Sequence, residues 1–389
     1  VPCARCESHE ARRASRGLHT RKNTAAPTIA RIETVRLVVA LACSKDWPMY
    51  HLDVKSAFLN GPLEELVYVT QPPGFEIKEK EDKVYRLHKA LYGLKQAPRA
   101  WNKRIDQFLI KIGFNKCSVE YGIYVKNVES GNVVIICLYV DDLLITGRKA
   151  CEIEKLKCML KSEFEMTDLG NLSFFLGMEF VKIQGGIVMH QQKYISELLD
   201  RFEITDCKPI SNPSETSLNL DECSDEEKVN STLFKQIVGS LRYLCNSRPD
   251  ICYSVSLIRK FMNNPKKSPM TAAKRILRYV KGSMKLGLLF PTGMKRGIAE
   301  LVSYSDSDWC TKKQPVTTLS TCEAEYIAGT FATCQVMWLD SVMKELKCEL
   351  QKPLKLLIDN KSAISLAKNP ISHGRSKHIE LVFILLESK

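Results

Sequence analysis

The sequence has 389 residues, of which 44% are hydrophobic and 26% are charged. This composition excludes collagen-like, fibrous and wholly disordered chains, and the length allows two or three domains. Lysine and arginine number 57 against 44 acidic residues, a formal net charge of +13. Such a charge favours nucleic acid as the leading partner class and an acidic lipid surface as the second.

Apolar runs and cysteine usage indicate the compartment. The longest apolar run, residues 133–140, is far shorter than the roughly 20 residues that a membrane-spanning helix needs, and no signal peptide is evident. The 15 cysteines are scattered along the chain, which is typical of a reducing environment. We therefore predict a soluble intracellular protein, in the cytoplasm or nucleus, that has no membrane partner and is not secreted.

The amino-terminal pattern predicts an arm followed by a helix. Residues 1–27 are rich in arginine and lack apolar periodicity, so a basic, poorly ordered arm is expected there. Apolar residues then recur at three-residue intervals from Ile29 to Leu41 and predict a helix that ends near residue 43. A strand over 49–54 and a helix over 97–112 follow.

The next segment predicts a β-hairpin. Residues 133–140 are continuously apolar and largely β-branched, the pattern of a strand that is buried on both faces. The run leads into Asp141 and Asp142, and a second apolar run begins at Leu143. The two aspartates are therefore expected in a tight hairpin turn.

Further elements continue to the end of the chain. A helix over 151–164, a strand pair over 174–189 and a helix through Leu198 precede a polar stretch, 210–228, that predicts a solvated linker. A helical connection region is expected up to residue 296. Its helix over 271–283 has four basic residues opposite an apolar face, either a solvated face or a phosphate-binding one: Lys274, Arg275, Arg278 and Lys281.

The last predicted unit, residues 297–389, alternates strands and helices. A strand over 299–305 ends at Asp306, a helix spans 321–347, a strand over 354–358 ends at Asp359, and a helix spans 362–368.

The paired aspartates suggest metal chemistry. Adjacent carboxylates raise each other's pKa unless a cation lies between them. Asp53, at the end of a predicted strand, is the candidate third carboxylate beside Asp141 and Asp142. Such a set can hold two magnesium ions for in-line phosphoryl transfer. A plain surface turn is the alternative, because paired aspartates are common there.

Several motifs resemble one family. Tyr-Val-Asp-Asp at 139–142 resembles the catalytic hairpin of reverse transcriptases, and the resemblance extends through Leu-Asp-Val-Lys-Ser-Ala-Phe-Leu-Asn-Gly at 52–61 and Leu-Tyr-Gly-Leu-Lys-Gln-Ala-Pro-Arg-Ala-Trp at 91–101. Later matches are Arg-Pro-Asp at 248–250, Leu-Ser-Thr-Cys-Glu-Ala-Glu-Tyr at 319–326 and His-Gly-Arg-Ser-Lys-His at 373–378. Together they are similar to the Pol polyprotein of copia-type LTR retrotransposons.

This resemblance implies a fold and an activity. It implies an α+β fold with a right-hand polymerase palm and thumb, the reverse transcriptase, over residues 28–209, followed by a degenerate ribonuclease H-like α/β unit. The implied activity is RNA-directed DNA polymerisation with Mg²⁺, or Mn²⁺ in its place, at two ions per active site. The implied partners are an RNA template, a DNA primer, RNA–DNA hybrid and deoxynucleoside triphosphates.

The resemblance also implies roles for individual residues. Asp53, Asp141 and Asp142 match the polymerase carboxylates, and Phe58 matches the aromatic residue that excludes a ribose 2′-hydroxyl. Nucleotide contacts are implied for Tyr92, Lys95 and Arg99, whose alternative reading is an ordinary Gly/Pro turn before a helix. In the last unit the ribonuclease H metal ligands are matched at Asp306, Glu325 and Asp359, with Asp308 as a nearby alternative.

Three departures from the family pattern predict impaired activity. Only about 27 residues precede the first palm helix, so a full fingers region that grips the triphosphate is not expected. Residues 307–320 are too few for the family's strand meander, which leaves the ribonuclease H sheet without its centre. After residue 380 the chain diverges before the family's final metal-binding aspartate.

Three hypotheses follow. The first is a copia-type reverse transcriptase with a ribonuclease H remnant, both impaired or inactive. The second is a catalytically dead nucleic-acid-binding relic of the same element. The third, an unrelated two-metal phosphatase or nuclease, does not account for Phe58 or for the Gln-Ala-Pro-Arg segment at 96–99.

Overall fold

The computed structural model describes residues 30–80, 82–128, 132–215, 226–293, 300–307 and 320–368. The chain divides into two compact units, Val1–Val38 with Trp47–Leu172 and Val39–Asp46 with Ser173–Lys389. The fold is a mixture of helices and strands. Among the helices of the described residues, none has the length and apolarity that crossing a bilayer requires.

The elements up to residue 172 alternate strands with three helices. In chain order they are α1 (Ile32–Ser44), β1 (Met49–Val54), β2 (Pro62–Thr70), β3 (Val84–Lys89), α2 (Ala97–Lys111), β4 (Asn115–Lys116), β5 (Ile123–Val128), β6 (Asn132–Tyr139), β7 (Asp142–Gly147), α3 (Ala150–Glu163) and β8 (Met166–Asn171). The predicted helices and the strand at 49–54 are confirmed to within a few residues.

A six-stranded antiparallel sheet forms the centre of this first unit. Its order is β4-β5-β6-β7-β1-β8, so β1, an early strand, lies between two later ones. Strand β6 is buried along its length up to the half-buried Tyr139 at its end, which confirms the predicted doubly buried strand. Its hairpin partner β7 is almost as buried, and the tip of this hairpin falls beside the end of β1.

One face of the sheet packs on two helices. Alternate residues of β1, β6 and β7 share a core cluster with the apolar sides of α2 and α3. Trp101 of α2, 1% exposed, is the largest fully buried side chain of the molecule's described part and stacks edge-on against Phe164 at 5.3 Å between ring centroids. The core therefore lies directly under the strands that carry the aspartates.

A second hairpin precedes α2 and was not predicted. Strands β2 and β3 pair antiparallel, with a register shift between Pro62 and Val67. A 3-10 turn, Ala57–Asn60, joins β1 to this hairpin through Gly61. A Cβ at Gly61 would lie 2.6 Å from the backbone nitrogen of Trp101, so glycine is required for the close approach of the chain to α2.

The second unit contains a four-stranded sheet and a helical core. Its elements are β9 (Phe174–Phe175), β10 (Met178–Ile183), β11 (Gly186–His190), α4 (Gln192–Arg201), α5 (Ser231–Leu244), α6 (Cys252–Arg259), α7 (Lys267–Gly282) and β12 (Leu288–Pro291). The sheet has the order β12-β11-β10-β9. The apolar faces of α4, α5, α6 and α7 form one cluster, which confirms the predicted helices.

A buried arginine ties this helical core together. Arg248, 1% exposed, binds Asp250 through two nitrogens and donates to the carbonyl and hydroxyl of Ser283. Tyr279 of α7 donates to the same carboxylate, at 2.8 Å. We call Arg248, Asp250, Tyr279 and Ser283 the arginine corner, because they join the turn after α5 to the end of α7.

The final elements form a small α/β arrangement. Strands β13 (Val302–Ser305) and β14 (Lys355–Ile358) are parallel partners, and helices α8 (Thr321–Glu345) and α9 (Lys361–Lys368) pack against them. Within residues 300–307 and 320–368 this sheet has two strands. The predicted alternation of strands and helices is confirmed, whereas the deleted meander concerns residues that are largely outside the described ones.

Candidate active sites

Two of the three predicted polymerase carboxylates face each other across adjacent strands. Asp53, near the end of β1, is the register partner of Asp142, the first residue of β7. Direct partners in an antiparallel pair project from the same face, with Cβ atoms about 4.5–5.5 Å apart. Asp141 lies in the turn before β7, so the backbone brings all three to one end of the hairpin.

The turn itself is held in a strained conformation. Val140 has a φ of +56°, a region that β-branched residues rarely adopt. Two hydrogen bonds support it: the indole Nε1 of Trp101 donates to the Val140 carbonyl at 2.7 Å, and the Val54 amide donates to the Asp141 carbonyl at 2.9 Å. The turn is therefore fixed both from the core and from β1.

The electrostatics at this end of the sheet are those of crowded carboxylates. The pKa of Asp141 is raised above its ordinary value, first by burial and then by the charges of Asp142 and Asp53, against the effect of a backbone hydrogen bond. Like charges in one place favour protonation or the arrival of a cation. Asp141 therefore lies close enough to Asp142 and Asp53 for their charges to act on it.

A histidine adjoins the same carboxylates. His51 of β1 lies 2.7 Å, Nε2 to Oδ1, from Asp142. Its side chain is 8% exposed, against 26% for that of Asp142. Sequence analysis did not single out His51, although its position two residues before Asp53 places it on the same face of β1.

The three aspartates offer the ligand atoms that magnesium prefers, but their side chains do not come together as a metal-binding cluster. Carboxylate oxygens are the ligands that Mg²⁺ prefers, and mutual repulsion of the aspartates indicates a place for a cation. In the part of the chain that the structure describes, however, no three Asp, Glu, His or Cys side chains are close enough together to hold a metal ion.

The predicted nucleotide-binding residues lie near the start of α2. The rings of Phe58 and Tyr92 are 4.7 Å apart between centroids, and Tyr92 is 57% exposed. Lys95 and Arg99 are exposed, and the charge of Arg99 helps to lower the pKa of Glu64 after the larger effect of Lys103. The structure thus brings the two aromatic residues together in an accessible place.

The basic residues of α7 have internal partners. Arg275 binds Glu215 and the Asn212 carbonyl, Arg278 donates to the Lys208 carbonyl, and Lys281 donates to the carbonyls of Thr205 and Cys207. These contacts attach residues 205–215 to α7. Lys274, by contrast, has no hydrogen bond or ion pair within the described ranges.

Two predicted carboxylates of the last unit follow the ends of adjacent parallel strands. Asp306 and Asp359 directly follow Ser305 and Ile358, which are register partners in β13 and β14. Glu325, 7% exposed on α8, accepts hydrogen bonds at Oε1 from the amide and hydroxyl of Ser307. Its other oxygen, Oε2, is buried without a hydrogen-bond partner in the described structure. An unpartnered buried oxygen fits a cation site; Asp308 lies outside the described residues.

Comparison with known proteins decides the family. The family model described as reverse transcriptase (RNA-dependent DNA polymerase) matches residues 6–216. The chain belongs to this family. The match includes Asp53, Asp141 and Asp142 together with the predicted nucleotide-binding residues.

Relatives of this reverse transcriptase chain are transposon proteins. It is 34% identical over 380 residues to the retrovirus-related Pol polyprotein from transposon RE1 of Arabidopsis thaliana, covering 92% of the chain and 26% of that protein. It is 36% identical over 382 residues to the corresponding polyprotein from transposon TNT 1-94 of Nicotiana tabacum, covering 91% of the chain and 29% of that protein. These relatives confirm the copia-type Pol resemblance, and the chain spans about a quarter of their length.

A shorter relative matches along its whole length. The transposon Ty5-1 protein of Saccharomyces cerevisiae is 32% identical over 309 residues, covering 73% of the chain and 100% of that protein. The similarity to retrotransposon proteins therefore does not depend on the long polyproteins alone.

Proposed function

We propose that the chain is the reverse transcriptase and ribonuclease H region of a copia-type retrotransposon Pol polyprotein. In this proposal the six-stranded sheet with α2 and α3 is the polymerase palm, residues 28–209 are the reverse transcriptase, and residues 210–296 connect it to a ribonuclease H-like unit over 297–389. The proposed substrates are an RNA template, a DNA primer and deoxynucleoside triphosphates.

The observation that carries the proposal is the register of β1 and β7. It pairs Asp53 with Asp142 and leaves Asp141 in the adjoining turn, so the carboxylates approach one another through the backbone of the sheet rather than through mobile side chains. Asp53, Asp141 and Asp142 would hold Mg²⁺. When bound, magnesium supplies charge neutralisation at the transferring phosphoryl group.

Other residues of the chain would bind and orient the nucleotide. The Phe58 ring, which packs against the core and against Tyr92, provides an apolar surface that would exclude a ribose 2′-hydroxyl by its bulk. Lys95 and Arg99 offer exposed cations for phosphate oxygens, which suits their position at the start of α2.

The last unit is proposed as a ribonuclease H remnant. Asp306, Glu325 and Asp359 would hold a cation near an RNA–DNA hybrid, and the unpartnered Glu325 Oε2 supports this. The two strands within its described residues give it a small sheet, so we propose that its cleavage activity is reduced.

Magnesium-dependent primer extension on poly(rA)/oligo(dT) tests the polymerase proposal. We expect weak incorporation by the wild type, because the sequence predicts an incomplete fingers region, with its loss in Asp141→Asn and its retention in Glu165→Gln, which alters an exposed carboxylate of the same unit. Incorporation that survives Asp141→Asn, or folded wild-type protein that incorporates nothing, would contradict it.

A catalytically inert binder is the second candidate. The lack of a converged carboxylate cluster in the described residues favours it. Its hybrid binding would weaken steeply with salt, because phosphate contacts release counterions, and would be unaffected by Asp53→Asn. A filter-binding salt titration combined with primer extension on wild type and variant distinguishes the two functions, since only the polymerase requires Asp53, and requires it for incorporation.

A further inference from the structure

His51 occupies an unusual place for a histidine. It lies on β1, between β7 and the edge strand β8 of the six-stranded sheet, and is 6% exposed, with Leu52 and the buried Leu144 as neighbours on β1 and β7. A buried imidazole loses its hydration, so the ring needs hydrogen-bond partners inside the protein. One of those partners is the carboxylate of Asp142.

The His51–Asp142 contact is a hydrogen bond whose donor depends on which ring nitrogen carries the hydrogen. We assign the hydrogen to Nε2, so that the imidazole donates to Asp142 Oδ1 over 2.7 Å. The bond uses one oxygen of Asp142 and leaves Oδ2 for another partner. It also restricts rotation of a side chain that is only partly buried.

Thr146 makes a second buried hydrogen bond on the same face of the sheet, and it differs from the His51–Asp142 bond in its acceptor. Thr146 is register-aligned with Met49, is fully buried and donates to the backbone carbonyl of Pro48 at 2.8 Å. That contact joins two strands and involves no charged group. His51 instead donates to the half-buried carboxylate of Asp142, the register partner of Asp53, so its bond acts on the proposed site.

We propose that His51 is a positioning residue that orients the Asp142 carboxylate for the cation shared with Asp53. This inference rests on the proposed function, because it needs a cation at these aspartates. Hydrogen bonds to metal-binding carboxylates are a common feature of metal sites, and losing such a partner typically lowers metal affinity or activity about 10–100-fold.

Manganese binding tests the role without requiring turnover. Free Mn²⁺ is measured by electron paramagnetic resonance during titration of the full chain, and the binding that disappears in Asp53→Asn defines the site. We expect His51→Leu to weaken that binding about 10–100-fold. His51→Gln, whose amide also donates, should restore most of it, which a purely space-filling role would not explain.

Thr146→Val is the matched control. It removes a buried hydrogen bond from the same sheet face and should lower the stability while leaving Mn²⁺ affinity unchanged. Circular dichroism melting of all variants separates unfolding from a local effect. If His51→Leu is unfolded, the comparison of His51→Gln with His51→Asn, in which the shorter amide cannot reach as far, provides the readout.

Each outcome bears on the proposal. Folded His51→Leu that binds Mn²⁺ as tightly as the wild type, or a wild type without an Asp53-dependent site, overturns it. Asp53-dependent binding that is sensitive to His51 in a chain without primer extension supports positioning while contradicting the polymerase function. Primer extension that is equal in wild type and His51→Leu at limiting Mn²⁺ leaves the polymerase function intact and overturns positioning.

Discussion

The protein provides a cationic partner for the charge of Asp250 in the arginine corner, whereas three aspartates of the six-stranded sheet lie near one another. These are Asp53, Asp141 and Asp142, at the end of the sheet where β1 meets β7, which we call the β1–β7 end. At the arginine corner the Asp250 carboxylate meets the buried guanidinium of Arg248 and the hydroxyl of Tyr279. At the β1–β7 end, Asp141 meets the charges of two other aspartates. The comparison separates a charge that is neutralised within the fold from charges whose neutralisation requires something bound.

The pKa directions express the same difference. The pKa of Asp250 is lowered: burial opposes its charge, but the hydrogen bonds and charge of Arg248, with the Tyr279 hydroxyl, outweigh that effect. The pKa of Asp141 is raised, chiefly by burial. A carboxyl pKa that is lowered in the folded protein means that the charged group stabilises folding. A raised pKa means that the charged group destabilises the fold, and such groups are concentrated at functional sites.

The largest expected effect is on activity at the β1–β7 end. Asp142→Asn keeps the shape but removes the charge and, by the comparison above, should hardly lower the unfolding free energy. We expect primer extension to fall about 1,000-fold, equivalent to about 4 kcal/mol of transition-state stabilisation. Steady-state incorporation checks this, with Glu152→Gln on α3, a half-buried carboxylate paired with Lys155, as the control. A loss of stability without a loss of rate would reverse the comparison.

A substitution in the arginine corner should instead lower the free energy of unfolding. Asp250→Ala leaves the Arg248 guanidinium, 1% exposed, without its carboxylate. Breaking a buried ion pair costs about 3–5 kcal/mol. The Asp250 side chain is 34% exposed, so we expect about 3 kcal/mol, the lower end of that range. Urea denaturation measures the change, and a value close to that of an exposed pair such as Lys155–Glu152 would remove the contrast.

Two glycine-to-alanine substitutions, one at a tightly packed position and one at an open position, should change the stability in opposite directions. Gly61→Ala would place a Cβ 2.6 Å from the Trp101 nitrogen and should destabilise the first unit by about 1–3 kcal/mol. Gly239→Ala, in helix α5 with nothing within 4 Å of the added Cβ, should stabilise the chain by about 0.5–1 kcal/mol. Thermal melting compares them, and equal shifts would contradict the close approach at Gly61.

The smallest expected effect is a pH dependence of the unfolding free energy. Because the folded-state pKa of Asp250 is lowered, its stabilisation is fully present above the unfolded-state pKa, about 3.9, and is lost as the pH falls through the folded-state value. Urea midpoints between pH 5 and pH 3 should therefore decline less in Asp250→Asn than in wild type. An equal decline would mean that other carboxylates, such as Asp168, account for the acid loss.

The sequence predicted the elements whose signals are local. The β6–β7 hairpin combines a long apolar run with a polar turn, and its prediction is confirmed with Asp141 in the turn. The β2–β3 hairpin was missed because its strands are largely exposed and lack clean alternation. A loop of some length also separates them, so no tight-turn signal marks the pair.

The sequence predicted the aspartates of the candidate site but not the residues that hydrogen-bond to them or to the hairpin turn. Asp53 and Asp142 were found because each adjoins the end of a predicted strand and because motifs that resemble the family contain them. The His51–Asp142 contact joins residues 91 positions apart, and Trp101 reaches Val140 over 39 positions. No periodicity reports such contacts, since they depend on which strands become neighbours in the folded sheet.

The left-handed backbone at Val140 has a consequence for sequence variation. A β-branched residue there costs about 1–2 kcal/mol, so its replacement by glycine would relieve strain. The same replacement loosens the unfolded chain by about 0.4–1 kcal/mol, which cancels much of the gain. Folding therefore selects only weakly among amino acids at position 140. In a library of variants at position 140, we therefore expect primer-extension activity, and not solubility or abundance, to determine which residues are retained.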